Sequence, residues 1–159
     1  MASHWNRALL DAKLTTTVAE TLQACLTDLV DLSLAMKQAH WVVQGEHFRS
    51  LHLHLDEIVE VAREASDEVA ERLSALGVAP DGRAGSVAKS SRVEAYPPGF
   101  VGSKDTVRLC SDRTAAVVKG LRHAIEVLDE HDPVSQDLLI GICADLEKHL
   151  WMLQANEKE

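Results

Sequence analysis

Residues 39–73 read AHWVVQGEHFRSLHLHLDEIVEVAREASDEVAERL, and this stretch decides both the fold and the candidate chemistry. Its apolar residues recur every three or four positions on both sides of a glycine turn, which predicts two helices in a hairpin. In the second helix His52 and Asp56 are four residues apart, and so are Asp67 and Glu71. Side chains at this spacing share one helix face. Each pair is therefore predicted to be half of a metal site.

The distance between the two pairs requires a second chain. Asp56 and Asp67 are eleven residues apart, about 20° from a whole number of turns, so both pairs share one stripe. The same eleven residues rise roughly 16 Å, far beyond the ~2 Å of a metal–ligand bond. A second copy, packed antiparallel about a two-fold axis near Val61 and Ala62, would bring the first pair of one chain against the second pair of its partner. Such an interface builds two identical sites.

His40 is the predicted fifth ligand. It precedes the turn at Gly45, so a helical hairpin folds it back beside His52. Two imidazoles and three carboxylates, with no thiolate, favour iron or another mid-series divalent ion over a structural zinc. A single pair of this kind is more often a solvated helix face. The whole set on one stripe favours the metal site.

Further motifs surround these ligands. In chain order they are His40-Trp41, Gly45-Glu46-His47-Phe48, Leu51-His52, Asp67-Glu68-Val69-Ala70-Glu71-Arg72-Leu73, Asp81-Gly82, Ser91, Tyr96-Pro97, Asp137-Leu138-Leu139 and Glu147-Lys148-His149-Leu150-Trp151-Met152. Together they closely resemble the Dps family, the mini-ferritins named as DNA-binding proteins from starved cells, over nearly the whole chain. The resemblance implies that five residues are ferroxidase ligands at a two-fold dimer interface: His40, His52, Asp56, Asp67 and Glu71.

The resemblance also implies an activity and an assembly. The expected protein is a dodecameric hollow cage that oxidises Fe(II) at its dimer interfaces, with hydrogen peroxide preferred to dioxygen, and stores the ferric mineral. In the family a tryptophan at the position of Trp41 lies beside the iron, although core packing is an equal alternative. Acidic residues near the start of the last helix line the family's three-fold pores, through which iron enters. Asp137 matches this pattern well and Asp132 only loosely, and both could instead be first-turn acids favoured by the helix dipole.

Hydrophobic periodicity predicts an all-α, ferritin-like four-helix bundle. The four helices are expected at about Thr15–Val43, Phe48–Leu76 and Lys104–Glu130, and from near Ser135 onward. Thr15 to Thr17 are plausible N-caps of the first helix, and Gly77 ends the second. Between the second and third helices, residues 78–102 are rich in proline and glycine and form a long crossover. Residues 85–91 are expected to form a short helix within it.

Composition sets the broad class. A length of 159 residues favours one domain, 1–159, with a short N-terminal arm at about 1–13. A net charge of −9 favours attraction of cations over generic polyanion binding. The three distant cysteines match no zinc or redox spacing and are expected to be reduced, buried thiols: Cys25, Cys110 and Cys143. No apolar run approaches a membrane span and no signal peptide is evident, so the expected location is the cytoplasm.

DNA compaction is the alternative function, and it would place the protein at the nucleoid. Family members that bind DNA often carry lysine-rich tails, whereas this chain ends in QANEKE and its arm has only two basic residues, Arg7 and Lys13. Because phosphate binding needs clustered cations, direct DNA binding is doubtful. His4 in the arm, and His47 and His54 beside the site, are interpreted as surface or supporting groups rather than ligands.

Overall fold

Helices account for most of the chain. The computed structural model describes residues 2–158. Its elements are α1 Ala12–Val42, β1 Val43–Gln44, α2 Phe48–Ala75, α3 Ala84–Ser90, β2 Val101–Gly102, α4 Ser103–Leu128, α5 Pro133–Ala155 and a closing 3-10 turn, Asn156–Lys158. The four long helices form the expected bundle, and α3 is the expected short helix of the crossover.

The start of α1 differs from the prediction. The side chain of Asp11 accepts hydrogen bonds from the backbone N–H groups of Lys13 and Leu14, both at 2.9 Å. Aspartate is among the strongest N-cap residues, so the helix begins at Ala12. Thr15 and Thr16 lie inside the helix and donate their hydroxyls to carbonyls four residues earlier. The predicted threonine caps are therefore wrong.

The other helix ends follow simple backbone rules. α2 ends at Ala75, one residue before the predicted end, and Gly77 follows it as predicted. The φ of Gly77, +79°, suits glycine, and the N–H of Val78 bonds back to the carbonyl of Leu73 at 3.0 Å. α4 ends at Leu128, two residues before the predicted end. α5 begins at Pro133, slightly earlier than predicted, because the fixed φ of proline suits the first helical position.

The crossover is fixed to the bundle at several points. The strands β1 and β2 pair in parallel, with Val43 opposite Val101, and so tie the α1–α2 turn to the end of the crossover. Arg92 donates to the buried carboxylate of Asp28 in α1, with Nε to Oδ2 at 2.8 Å. Arg113 of α4 is 2% exposed and donates to backbone carbonyls of residues 94, 95 and 109. These bonds replace the regular pairing that a long connection lacks.

The buried side chains of the four long helices form one contiguous cluster. α1 packs on α2 and α4, and α5 packs on α4 and α2. The single domain, 1–159, stays a prediction. All three cysteines are buried and unpaired, and burial raises the pKa of Cys25 and Cys110 to about 12. Within residues 2–158, no helix has the length and apolar character needed to cross a membrane.

Candidate metal centre

Two histidines meet where α1 ends and α2 begins. The rings of His40 and His52 are stacked, with centroids 3.6 Å apart and planes inclined by 21°. The Nδ1 atom of His40 lies 2.7 Å from the carbonyl oxygen of His52, and Nδ1 of His52 lies 2.9 Å from the carbonyl oxygen of His40. Each imidazole is therefore hydrogen-bonded to the backbone of the other histidine across the hairpin. The sequence predicts that these two residues lie close together.

This reciprocal bonding fixes the chemistry of both rings. A carbonyl oxygen only accepts hydrogen bonds, so each Nδ1 must carry the proton and donate it. The lone pair of each neutral ring then lies on Nε2, the atom that remains to coordinate a metal. Metal-binding histidines characteristically donate their second ring nitrogen in this way, because the bond orients the ring and raises its basicity.

Asp56 lies beside the histidine pair, one turn further along α2. Its Oδ1 is 3.5 Å from Nδ1 of His40 and makes a short ion pair with the ammonium of Lys37. The hydrogen bond from Lys37 holds the pKa of Asp56 below its ordinary value, so this carboxylate is ionised at neutral pH. Sequence reasoning missed Lys37. Its position three residues before His40, on the same face of α1, was the available signal.

The other two predicted ligands do not join this cluster within one chain. Asp67 and Glu71 are exposed near the far end of α2, an unbroken helix. The eleven residues between Asp56 and Asp67 span about 16 Å. A single chain thus brings His40 against His52 and Asp56, and leaves two carboxylates exposed.

Trp41 and Asp132 also have definite environments. The side chain of Trp41 is 64% exposed, so in the isolated chain it does not pack in the core. Asp132 is buried and accepts from Arg72 at 2.7 Å and from Ser135. Burial alone would raise the pKa of Asp132, but these hydrogen bonds and the Arg72 charge together hold it below its ordinary value. The chain uses Asp132 to join α2 and α5, and its pore role stays a prediction.

Asp137 presents its carboxylate differently. It is exposed on α5 and lines a surface depression between α2 and α5. Other carboxylates line the same depression: Glu64, Glu68 and Asp145. This concentration of negative charge is compatible with attracting cations.

Four other histidines have different surroundings. His4 lies in the arm and its backbone N–H bonds to the carbonyl of Gly77 at 2.9 Å, so its contact is structural. His47 occupies the left-handed region, with φ of 60°, and precedes the first residue of α2. His54 instead faces His149 of α5, with Nε2 and Nδ1 separated by 3.1 Å. Sequence reasoning missed this second pair, because nothing in one sequence aligns α2 with a position 95 residues later.

Comparison with known proteins agrees with this architecture. The ferritin-like domain family matches residues 19–158. The solved structure of Dps from Microbacterium arborescens in the high iron form superimposes with a TM-score of 0.90 at 33% identity, covering 96% of this chain and 99% of that one.

Curated relatives narrow the class. The DNA protection during starvation protein of Mycolicibacterium smegmatis is 37% identical over 151 residues, covering 92% of this chain and 80% of the relative. The fine tangled pili major subunit of Haemophilus ducreyi is 36% identical over 139 residues, covering 87% of this chain and 74% of the relative. The chain belongs to the Dps family of ferritin-like proteins. Relatives with such different names leave the activity to be argued from the site.

Proposed function

We propose that this protein stores and detoxifies iron. It oxidises Fe(II) to Fe(III), with hydrogen peroxide as the oxidant, at sites shared between two subunits, and retains the ferric product as mineral inside a dodecameric cage. The family supports iron storage in general, and the oxidant, the ligands and the assembly are the specific content of the proposal.

The histidine pair is the observation that supports the proposal most. His40 and His52 each donate Nδ1–H to the other's carbonyl oxygen, which leaves the Nε2 lone pair of each neutral ring available, and the ionised Asp56 lies beside His40. Rings held by backbone bonds keep their orientation without a metal, so less ordering is required when iron binds. Imidazole and carboxylate donors suit Fe(II) and stabilise Fe(III) further.

The exposed carboxylates support sharing between subunits. Asp67 and Glu71 lie on the same stripe of α2 as His52 and Asp56, so an antiparallel copy would complete the site. Large apolar side chains are also exposed around the hairpin, which fits a surface that a partner covers: Leu34, Trp41, Phe48 and Leu53. Trp41, next in sequence to His40, would then lie near the bound iron, where it could supply an electron.

The reaction balances with two iron ions. Each Fe(II) loses one electron, and the two electrons together with two protons reduce one hydrogen peroxide to two waters. Because both electrons are delivered together, the one-electron reduction that releases hydroxyl radical is avoided. Lys37 forms an ion pair with Asp56. A cation that binds Asp56 must therefore displace the Lys37 ammonium.

One experiment tests the proposal. Fe(II) is added anaerobically to the metal-free protein, then hydrogen peroxide, while particle mass, bound iron and ferric absorbance are followed together. Expected results are stoichiometric Fe(II) binding, consumption of one peroxide per two Fe(II), and a soluble ferric product of cage mass. Iron that precipitates at the rate of a protein-free control would refute the proposal.

A further inference from the structure

A second group of metal-binding side chains lies between α2 and α5. Nε2 of His54 and Nδ1 of His149 are 3.1 Å apart, and a carboxylate oxygen of Glu57 completes a set of three donor atoms that all lie within 4.8 Å of one another. We propose that His54, Glu57 and His149 form a second metal site, which binds one divalent first-row transition ion through two imidazole nitrogens and a carboxylate.

The spacing of the donor atoms is close to the spacing that a bound ion requires. Two nitrogens bound to a tetrahedral ion at about 2.0–2.1 Å lie roughly 3.3–3.4 Å apart. The nitrogens of His54 and His149 therefore need to separate by only a few tenths of an ångström. In the structure one of the two facing nitrogens donates a hydrogen bond to the other. When the ion binds, that proton moves to the far nitrogen of the same ring, so both facing nitrogens offer lone pairs.

The third ligand comes from local helix geometry. Glu57 follows His54 by three residues, so the two side chains are neighbours on one face of α2. A histidine and a glutamate three residues apart also supply metal ligands in helical bundles, where the glutamate comes first; here the order is reversed. His149 is buried, His54 is half-buried and Glu57 is exposed, so the site opens to solvent at the carboxylate side. A water can take the fourth position.

The second site is separate from the first. His54 lies two residues after His52, which is about 200° around α2, so the two imidazoles point to opposite sides of the helix. The second site also lacks the stripe of carboxylates that belongs to the proposed inter-subunit site. Two imidazoles with one carboxylate favour Zn²⁺, Co²⁺ or Fe²⁺ over Ca²⁺ and Mg²⁺, which prefer oxygen ligands.

The test uses assembled protein in which the first site has been removed by His52→Ala and Asp56→Ala. Zn²⁺ binding is measured by equilibrium dialysis with elemental analysis, and Co²⁺ binding by its visible absorption, which is intense for tetrahedral nitrogen and oxygen ligation. This parent is expected to bind one tight equivalent of Zn²⁺ per chain. Because iron oxidation is not the readout, failure here and failure of the proposed function are distinguishable.

Three further substitutions in that parent identify the ligands. His149→Gln should abolish the tight equivalent, and Glu57→Gln should weaken it by at least about tenfold. His123→Gln, which removes an exposed histidine of α4, is the matched control and should change neither value. Since Glu57 is exposed, its variant keeps the test decisive if the buried His149 variant fails to assemble. A parent without a tight equivalent, or one whose Zn²⁺ affinity survives Glu57→Gln unchanged, would overturn the three-ligand site.

Discussion

The two ends of α2 carry the same kind of residues in opposite states. At the N-terminal end His52 is locked to the backbone of α1 and Asp56 is ion-paired. At the C-terminal end the side chains of Asp67 and Glu71 are exposed. At the N-terminal end, contacts within the same chain hold the side chains in place. At the C-terminal end the backbone is helical, but the carboxylate side chains are exposed.

This difference gives the two ends of α2 different roles in the proposed site. Rotamer freedom is costly to remove, so a site gains most when the side chains that meet the metal first are already fixed. The histidine end meets that condition. In the proposed inter-subunit site, the exposed carboxylates on an intact helix would need only small rotamer changes to coordinate.

The largest expected effect comes from separating the two ends genetically. One variant carries His52→Ala with Asp56→Ala, and the other carries Asp67→Ala with Glu71→Ala. Each cage alone should lose on the order of 100-fold or more in ferroxidase rate, since even supporting groups around a metal contribute 10–100-fold. In a heterodimer of the two variants, one of the two interface sites is intact. Mixed cages should therefore regain activity in stopped-flow assays of ferric absorbance.

The control is a mock exchange of each variant with itself, which should restore nothing. Heterodimers are verified by native mass spectrometry before activity is measured. If verified heterodimers stay inactive, or if either variant alone keeps the wild-type rate, the two ends of α2 do not complete each other and the inter-subunit site is wrong.

The second effect concerns what holds the acidic end in place. Arg72, next to Glu71, donates to the buried Asp132. Asp132→Asn leaves Arg72 without a charged partner, and breaking such a pair typically costs about 3–5 kcal/mol. We expect a clear fall in the thermal midpoint at neutral pH. Asp137→Asn is the control, because it changes an exposed carboxylate of α5, the helix that Asp132 precedes, and should shift the midpoint little.

The sign of the pH dependence follows from the lowered pKa of Asp132. A carboxyl group whose pKa is lower in the folded state contributes its full stability above the unfolded pKa of about 3.9 and loses it as pH falls toward the folded value. The difference in thermal midpoint between wild type and Asp132→Asn should thus be complete at pH 7 and shrink below about pH 4. A gap that stays constant down to pH 3, or widens, would contradict this role for Asp132.

Much of this contrast was accessible from sequence. The spacing of His52, Asp56, Asp67 and Glu71 depends only on helix geometry, so it predicted both a shared stripe and the need for a second chain. The hairpin at Gly45 placed His40 beside His52 for the same reason. Long periodic segments likewise gave the four helices, with errors only at their ends.

Contacts between distant segments were not accessible. The pairing of Arg72 with Asp132 spans 60 residues, and that of His54 with His149 spans 95. Both depend on how far α5 slides along α2, which is decided by packing of the whole core rather than by either helix's pattern. For the same reason, the sequence did not decide whether Asp132 has a pore role or a structural role. In the structure Asp132 is buried against Arg72.

The third effect is on iron uptake rather than chemistry. The exposed Asp137 shares a depression with acidic residues of α2. If copies of it surround a three-fold pore, Asp137→Asn should slow mineralisation a few-fold at low ionic strength and leave oxidation of already bound Fe(II) unchanged, because a charge ring affects arrival. Glu60→Gln, an exposed acid of α2 outside that depression, is the control. Equal uptake by wild type and Asp137→Asn at low salt would reject the pore assignment.

The smallest expected effect is on DNA, and it too depends on the C-terminal end of α2. The N-terminal arm is not free there: the N–H of His4 bonds to the carbonyl of Gly77 at 2.9 Å, and Nε1 of Trp5 bonds to the carbonyl of Ser74 at 2.7 Å. A docked arm cannot extend its few cations toward a phosphate backbone. The crossover offers little more, because Arg83 is paired with Asp81 and Arg92 with Asp28.

Charge at long range opposes DNA binding as well. Twelve copies at −9 each would give a cage a formal charge of about −108, and duplex DNA is itself a dense polyanion. We therefore expect no mobility shift of duplex DNA near pH 7.5 and about 150 mM salt. A Trp5→Ala variant, which loses the indole bond to Ser74, should bind slightly better than wild type if docking restrains the arm. Tight binding by the wild-type protein at neutral pH would instead make DNA compaction the principal function, with the arm released from α2 in the complex.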